Sequence, residues 1–325
     1  MGKIISQLFK FTLIVSLAVN IGYGQQRPQY TQYMVNSFLL NPAVAGINDN
    51  TILKAGYRTQ WVGFDGAPQT FFVSGHVPIN KIDEDFARRF KKKLNHHGIG
   101  GYVFNDVTGP TSRMGAYLSY AFHLSLTKKV KASMGTFIGM LQNKIDIDKI
   151  ITADPDNTIL TGTQAKIIPD VSLGTWIYSD KAFLGFVVSQ IIQNKIFTTD
   201  QPGFTSYSKL RNHYFVHVGY NFRVNRDWYI VPSTLYKFVT PVYSHFDINV
   251  KVKYRQIAWV GVSYRQDDAV AGLIGFVDSK TGLNISYSYD ITTSKIRFHS
   301  AGSHEIVVGL NLPGKGKILC PDDFW

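Results

Sequence analysis

Strict alternation of apolar and polar residues runs through much of the chain. Over 244–254, Phe246, Ile248, Val250, Val252 and Tyr254 share one face, and His245, Asp247, Asn249, Lys251 and Lys253 share the other. Over 283–290, Leu283, Ile285, Tyr287 and Tyr289 alternate with Asn284, Ser286, Ser288 and Asp290. Over 211–224, Tyr214, Val216, Val218, Tyr220 and Phe222 oppose His213, His217, Asn221 and Arg223. A period of two sends successive side chains to opposite faces of a strand. Sustained for about ten residues, it marks a strand that crosses a bilayer with an aqueous lumen behind it. Strands of soluble proteins are commonly about half as long.

Fourteen such segments can be placed, with cores near 51–62, 69–78, 97–105, 112–124, 128–141, 168–178, 181–192, 211–224, 227–239, 243–254, 256–266, 268–278, 281–290 and 304–312. The spacing between them is a second, independent signal. Connections near Leu126–Lys128, Ser179–Asp180, Asn225–Arg226, Arg255 and Ser279–Lys280 are tight, whereas 142–167, 193–210 and 291–303 are long. Short turns at one rim and long loops at the other are the outer-membrane asymmetry, the short side being periplasmic. The pattern therefore predicts an all-β transmembrane barrel of about 14 antiparallel strands over 51–312, with both ends in the periplasm. Trp61, Trp176, Trp228 and Trp259 fall near strand ends, where interfacial aromatic girdles are expected.

One connection on the short side departs from the pattern. Residues 80–94 read as a short periplasmic helix, with Asn80 as N-cap and Asp83, Glu84 and Asp85 in the first turn. Arg88, Arg89, Lys91, Lys92 and Lys93 follow toward its end, as the helix dipole favours. Ile82, Phe86, Phe90 and Leu94 form an apolar stripe. The simpler reading is an amphipathic helix lying on the periplasmic rim. The sharper one makes the basic cluster a docking handle for an acidic periplasmic partner.

Composition agrees with a protein that faces two solvents. Aromatic residues make up 14% of the chain and charged residues only 17%. The net charge of +12 suits anionic outer-membrane lipid or acidic protein partners in an exported chain, and nucleic acid is not expected. Residues 1–24 read as a signal peptide: Lys3 and Lys10, an apolar run over 11–21, then Gly22 and Gly24. The apolar run is too short for a membrane helix. The single cysteine, Cys320, excludes an intramolecular disulfide and any multi-cysteine metal site.

Residues 25–50 are rich in amides and aromatics and have no strand period. A fourteen-stranded lumen is too wide for wall side chains alone to fill, so this segment is expected in or across the periplasmic mouth. Asn41-Pro42 sets a turn, because the residue before proline avoids the helical region. Gly63, Gly66 and Pro68 close a tight loop between the first two strands. That loop is structural in the plain reading, and a contact for cargo or an extracellular partner in the alternative. Residues 313–325 are expected to form a periplasmic tail.

The N-terminal quarter also carries ordered motifs. Gln29-Tyr30-Thr31-Gln32-Tyr33-Met34 is followed by Asn41-Pro42-Ala43-Val44-Ala45-Gly46, and then by Tyr57-Arg58-Thr59-Gln60-Trp61-Val62-Gly63-Phe64-Asp65-Gly66-Ala67-Pro68-Gln69-Thr70. This resembles the PorP/SprF family of type IX secretion system outer-membrane proteins. The motif positions taken from the resemblance are Gln32, Tyr33, Asn41, Pro42, Gly46, Tyr57, Arg58, Gln60, Trp61, Gly63, Phe64, Gly66 and Pro68. It implies a barrel needed for the export or surface anchoring of large adhesins through their C-terminal sorting domain, in some members for gliding motility. Implied partners are such an adhesin and periplasmic components of the secretion or motility machinery.

The residues themselves leave a general porin or small-molecule channel as the alternative, and an outer-membrane lipid-modifying enzyme as a third class. No catalytic, cofactor or metal site is assigned. His76, His123, His213, His217 and His245 are expected to face the lumen. His213 and His217 lie about 13 Å apart at roughly 3.3 Å per residue, too far to share a zinc ion. Ser74 and His76 share a face but sit about 7 Å apart along the strand. Asp154-Pro155-Asp156-Asn157 matches no recognised calcium loop.

Overall fold

The computed structural model describes residues 27–79, 95–127, 129–150, 162–201, 204–239 and 243–313. The expected signal peptide (1–24), the 80–94 helix with Arg88, Arg89, Lys91, Lys92 and Lys93, and the tail beyond 313 lie outside the described residues.

The alternating segments form strands β1 (Thr51–Thr59), β2 (Gln69–Ile79), β3 (His96–Thr108), β4 (Thr111–Ser125) and β5 (Val130–Asp146). They continue with β6 (Thr163–Ser179), β7 (Ala182–Ser189), β8 (Lys195–Gln201), β9 (Phe204–Lys209), β10 (His213–Tyr220) and β11 (Phe222–Arg223). The last six are β12 (Trp228–Val239), β13 (Tyr243–Tyr254), β14 (Ala258–Arg265), β15 (Ala269–Val277), β16 (Leu283–Thr292) and β17 (Ser303–Leu312). Each of the main strands pairs antiparallel with its sequence neighbours, and β11 continues β10 beyond Asn221. β1 pairs with β17, Thr51 opposite Leu312, and β10 pairs with β12, His213 opposite Val239. The ladder therefore closes on itself as a barrel of 14 antiparallel strands, so the first and last strands of the sheet pair with each other and neither is left as a free edge.

The two faces separate as the alternation demands. Leu118 (76% exposed), Met134 and Ile138 point outward, and Ile248, Val250, Ile285 and Tyr287 stand on the same exterior. Asp247, Asn249, Lys251, Ser286, Ser288 and Asp290 point inward and are buried. A wall that is apolar outside and polar inside is stable only with hydrocarbon around it.

At one rim, connections 126–129, 180–181, 224–227, 255–257 and 278–282 are short. Arg255 and Gln256 adopt φ of 48° and 57°, the left-handed pair of a tight hairpin turn. Arg255 Nε reaches across to Asp227 Oδ1 at 2.8 Å, and that hydrogen bond holds the Asp227 carboxyl below its usual range. The opposite rim carries 60–68, 147–162, 190–212 and 293–302.

Several boundaries and orientations differ from the sequence expectation. β5 and β6 each run 17 residues, about 56 Å at roughly 3.3 Å per residue. The expected 142–167 loop thereby shrinks to 147–162, because residues 142–146 of β5 pair antiparallel with residues 163–167 of β6, Gln142 opposite Ile167 and Asp146 opposite Thr163. Within the expected 193–210 loop, β8 and β9 pair as a separate hairpin. Trp176 and Trp259 are buried inside the barrel and serve no girdle; Trp228 is exposed on the outside and packs at a tilt on Tyr254, ring centroids 4.8 Å apart.

Candidate functional site: a segment seated in the lumen

Residues 27–50 run through the barrel interior. Two short 3-10 turns, η1 (Ser37–Leu39) and η2 (Pro42–Val44), shape the segment. Asn41 caps η2: its Oδ1 accepts the Ala43 N–H at 2.9 Å, while its Nδ2 donates to the Thr175 carbonyl at 3.0 Å. Proline follows at the first helical position, where its missing N–H costs nothing. The pairing of Asn41 with Pro42 thus builds a turn and ties it to β6.

The upper anchor is ionic. Arg58, 1% exposed, extends inward from β1 to Asp290 Oδ2 at 2.8 Å and Glu305 Oε2 at 3.2 Å. Thr31 sits among them: its N–H donates to Glu305 at 2.7 Å and its hydroxyl to Asp290 at 2.6 Å. The same hydroxyl accepts from Arg58 at 2.6 Å and Arg265 at 2.9 Å. Gln32 donates its backbone N–H to the Glu305 carboxylate and its amide to the Glu305 carbonyl. Arg265 also pairs with Asp268 at 2.9 Å, and Lys237 with Asp247 at 2.6 Å. The Asp247 carbonyl accepts the Tyr33 hydroxyl at 3.5 Å. Buried charges of this kind persist only when paired and hydrogen-bonded, and here the segment supplies several of the partners.

The lower anchor is made of histidines and glycines. Gly46 N–H donates to His76 Nδ1 at 3.1 Å, and His96 Nε2 contacts the Gly46 carbonyl at 3.0 Å. His123 Nε2 contacts the Ala45 carbonyl at 2.8 Å, and its Nδ1 contacts the Tyr178 hydroxyl at 2.9 Å. The His96 and His123 rings stack at 4.3 Å. A Cβ on Gly98 would stand 1.9 Å from the Ala45 oxygen, and one on Gly174 would stand 2.1 Å from Asn41 Oδ1. Glycine at these wall positions lets the segment's backbone approach the strands.

Between the anchors, Lys54 Nζ donates to the Val35 carbonyl, and Asn36 donates to Ser74 Oγ at 2.9 Å. Phe38, 1% exposed, packs against Phe137, Tyr102 and His76. Burial of each such apolar side chain is worth about 1.5–3 kcal/mol. A gap of about 10 Å³ beside Met34, His217 and Asn249 has room for about one water. The sequence reading put this segment in or across the periplasmic mouth. It lies there, with Gly46 beside the start of β3, and reaches on through the lumen to Thr31, beside the far end of β1. The charged wall residues near that far end explain the depth, since they require polar partners.

The motif residues therefore divide into three groups. Gln32, Tyr33, Asn41, Pro42, Gly46 and Arg58 meet at the seat of the segment. Gln60, Trp61, Gly63, Phe64, Gly66 and Pro68 form the β1–β2 loop, with the Gln60 N–H bonded to the Pro68 carbonyl at 2.9 Å. That loop is tied to its neighbours through Val62 to Gly302 and Gly109 to Gly66, each at 2.9 Å. Gly63 and Gly66 take φ of 95° and 71° there, which explains the glycines. Tyr57 is apart from both groups, on the outer face of β1.

Sequence reasoning placed Asp247 and Asp290 on the polar face without giving them a role, and it missed Glu305 and His96. An inward-facing carboxylate on a membrane-spanning strand was the available signal. Ser74 and His76, which share a face of β2, both bind the segment: Ser74 Oγ accepts from Asn36, and His76 Nδ1 accepts from the Gly46 N–H. Among the described residues no cluster of histidine and carboxylate side chains has the geometry to hold a metal.

A closed fourteen-stranded barrel with an apolar exterior and an occupied lumen defines an outer-membrane β-barrel protein. Within that class the chain belongs to the type IX secretion system membrane protein PorP/SprF family, whose model matches residues 22–310. It is thus a membrane component of type IX secretion. Among solved structures the chain is similar to a Pseudomonas aeruginosa FadL homologue, at 12% identity over 88% of this chain and 94% of that one, with a TM-score of 0.51. That likeness concerns fold alone. It is also similar to the CymD monoaromatic hydrocarbon channel, at 12% identity over 89% of this chain and 93% of that one, with a TM-score of 0.49. No curated protein matches the chain.

Proposed function

We propose that this barrel secures large exported adhesins at the outer membrane by binding their C-terminal sorting domain, and that it acts by binding and not by catalysis. The observation that carries the proposal is the seated segment. Residues 31–46 are bonded to the wall from one end of the lumen to the other, with Arg58, Asp290 and Glu305 as the ionic lock. A lumen so filled favours partner binding at the rims over flow through the middle, and family membership supports contact with other components of the secretion machinery. The β1–β2 loop, braced against both neighbouring loops, is a rigid platform at the long-loop rim. Rigid, pre-organised loops bind with a smaller entropic cost.

The test is affinity purification of the tagged barrel from native outer membranes, followed by mass spectrometry. The expected result is co-recovery of a very large surface protein that is lost when its C-terminal domain is deleted. Recovery of the barrel alone, with steady ion conductance in planar bilayers, would overturn the reading in favour of a porin or small-molecule channel.

A further inference from the structure

The β16–β17 loop folds outward over the barrel wall. Its 3-10 turn, η4 (Lys295–Phe298), lies beside β16 and has no buried residue. Tyr289, on the outer face of β16, donates its hydroxyl to the Ala301 carbonyl at 2.8 Å and pins the end of the loop to the exterior. Between loop and strand runs an open groove of about 570 Å³, lined by Tyr289, Ile291, Arg297, Phe298, Ala301 and Gly302 among others.

Its two walls differ in chemistry. The strand side is continuous with the lipid-facing surface: Ile291 is 59% exposed, and Val270 lies beside it across the ladder. The loop side is cationic. Lys295, Arg297 and His299 are all exposed, and no acidic residue occurs between 291 and 303. Among the described residues no carboxylate lies within ion-pair distance of Lys295 or Arg297, whereas Lys149 and Arg265 at the same rim pair with Asp146 and Asp268. The Arg297 guanidinium lies 4.8 Å over the Phe298 ring, which is 73% exposed.

We propose that this groove binds a phosphorylated glycolipid of the outer leaflet. Arg297 and Lys295 engage its phosphate, and Tyr289, Ile291 and Phe298 line the start of its acyl chain. The position fits, because the long-loop rim is the one that meets the outer leaflet. The residue types fit as well: a guanidinium fork matches phosphate oxygens, cations beside a membrane surface are drawn to anionic lipid, and aromatic rings settle at the polar–apolar boundary. A solvated loop has no need of a groove that is apolar on one wall and unpaired cationic on the other. An acidic protein would match the cations but not the hydrocarbon-facing wall.

The test is native mass spectrometry of the full-length barrel in detergent, titrated with diphosphoryl lipid A and with the same lipid after phosphatase treatment. One diphosphoryl lipid A is expected to bind per barrel, with the dephosphorylated form clearly weaker. Reversing both charges, Lys295→Glu with Arg297→Glu, should weaken binding by about tenfold or more. Lys149→Glu, on another loop of the same rim, should leave it unchanged. Assembly is checked by heat-modifiable mobility on gels. If the double variant does not assemble, Arg297→Gln carries the comparison, with a smaller loss expected. Equal binding of the two lipid forms, or binding by the charge variants at the wild-type level, would overturn the proposal.

Discussion

At the scale of single residues, Arg58 decides most. It is buried and contacts two carboxylates and the Thr31 hydroxyl. Arg58→Leu leaves Asp290 and Glu305 facing each other without it, and breaking a buried pair from one side costs about 3–5 kcal/mol. Arg265 remains 3.6 Å from Asp290, so part of the loss is offset. The expected outcome is faster amide exchange across residues 30–35, with exchange in the strands unchanged; wild-type protection there would show that the ionic lock does not hold the segment. Gly98→Ala acts at the other anchor. The added methyl collides with the Ala45 carbonyl, which His123 holds in place. Overpacking of this kind costs about 1–3 kcal/mol, and exchange should rise over residues 43–47 and not over 30–35. Separate responses from the two variants would establish two independent anchors.

At the scale of elements, what was legible in the sequence follows from one physical fact. A strand between lipid and polar lumen must alternate, so β10, β13 and β16 could be read directly, together with the lumen-facing positions of His76, His123 and His217. The same rule failed where its cause is missing. β5 and β6 extend past the bilayer, where neither face needs to be apolar, and their ends were read as loop. Trp176 and Trp259 were assigned to girdles by position along the strand, yet they are wall residues packed inside, Trp259 against Lys251. The 27–50 segment has no period because its partners come from many strands. Its amides and turn residues hinted at burial, but its depth depended on Asp290 and Glu305, far away in sequence. Deleting residues 27–50 removes the segment and should leave the strand ladder closed. The variant is expected to migrate as a folded barrel and to conduct ions in planar bilayers in steps absent from the intact protein. A silent variant would mean that the loops, and not this segment, close the barrel.

At the scale of the whole molecule, the exterior must meet hydrocarbon, and that requirement can be tested apart from any partner. Leu118 stands mid-strand on β4 and is the most exposed of the large outward-facing apolar residues on that strand, at 76%. Its neighbours across the ladder are Gly101 and Ile138, so no polar group stands directly opposite it. Arginine at such a position near the bilayer midplane costs about 2–4 kcal/mol, falling to about 0–1 near the interfaces. Leu118→Arg should therefore lower the urea midpoint for folding into phospholipid vesicles by the larger amount. Leu124→Arg, close to the short-turn rim on the same strand and also outward-facing, should lower it by the smaller amount. Detergent micelles adapt more readily to a buried charge, so the gap between the two variants should narrow there. Equal, small effects in vesicles would place water at the wall around β4 and contradict the membrane-spanning arrangement. A depth-dependent penalty would fix the height of the barrel in the bilayer, and with it the level at which the β16–β17 groove meets the outer leaflet.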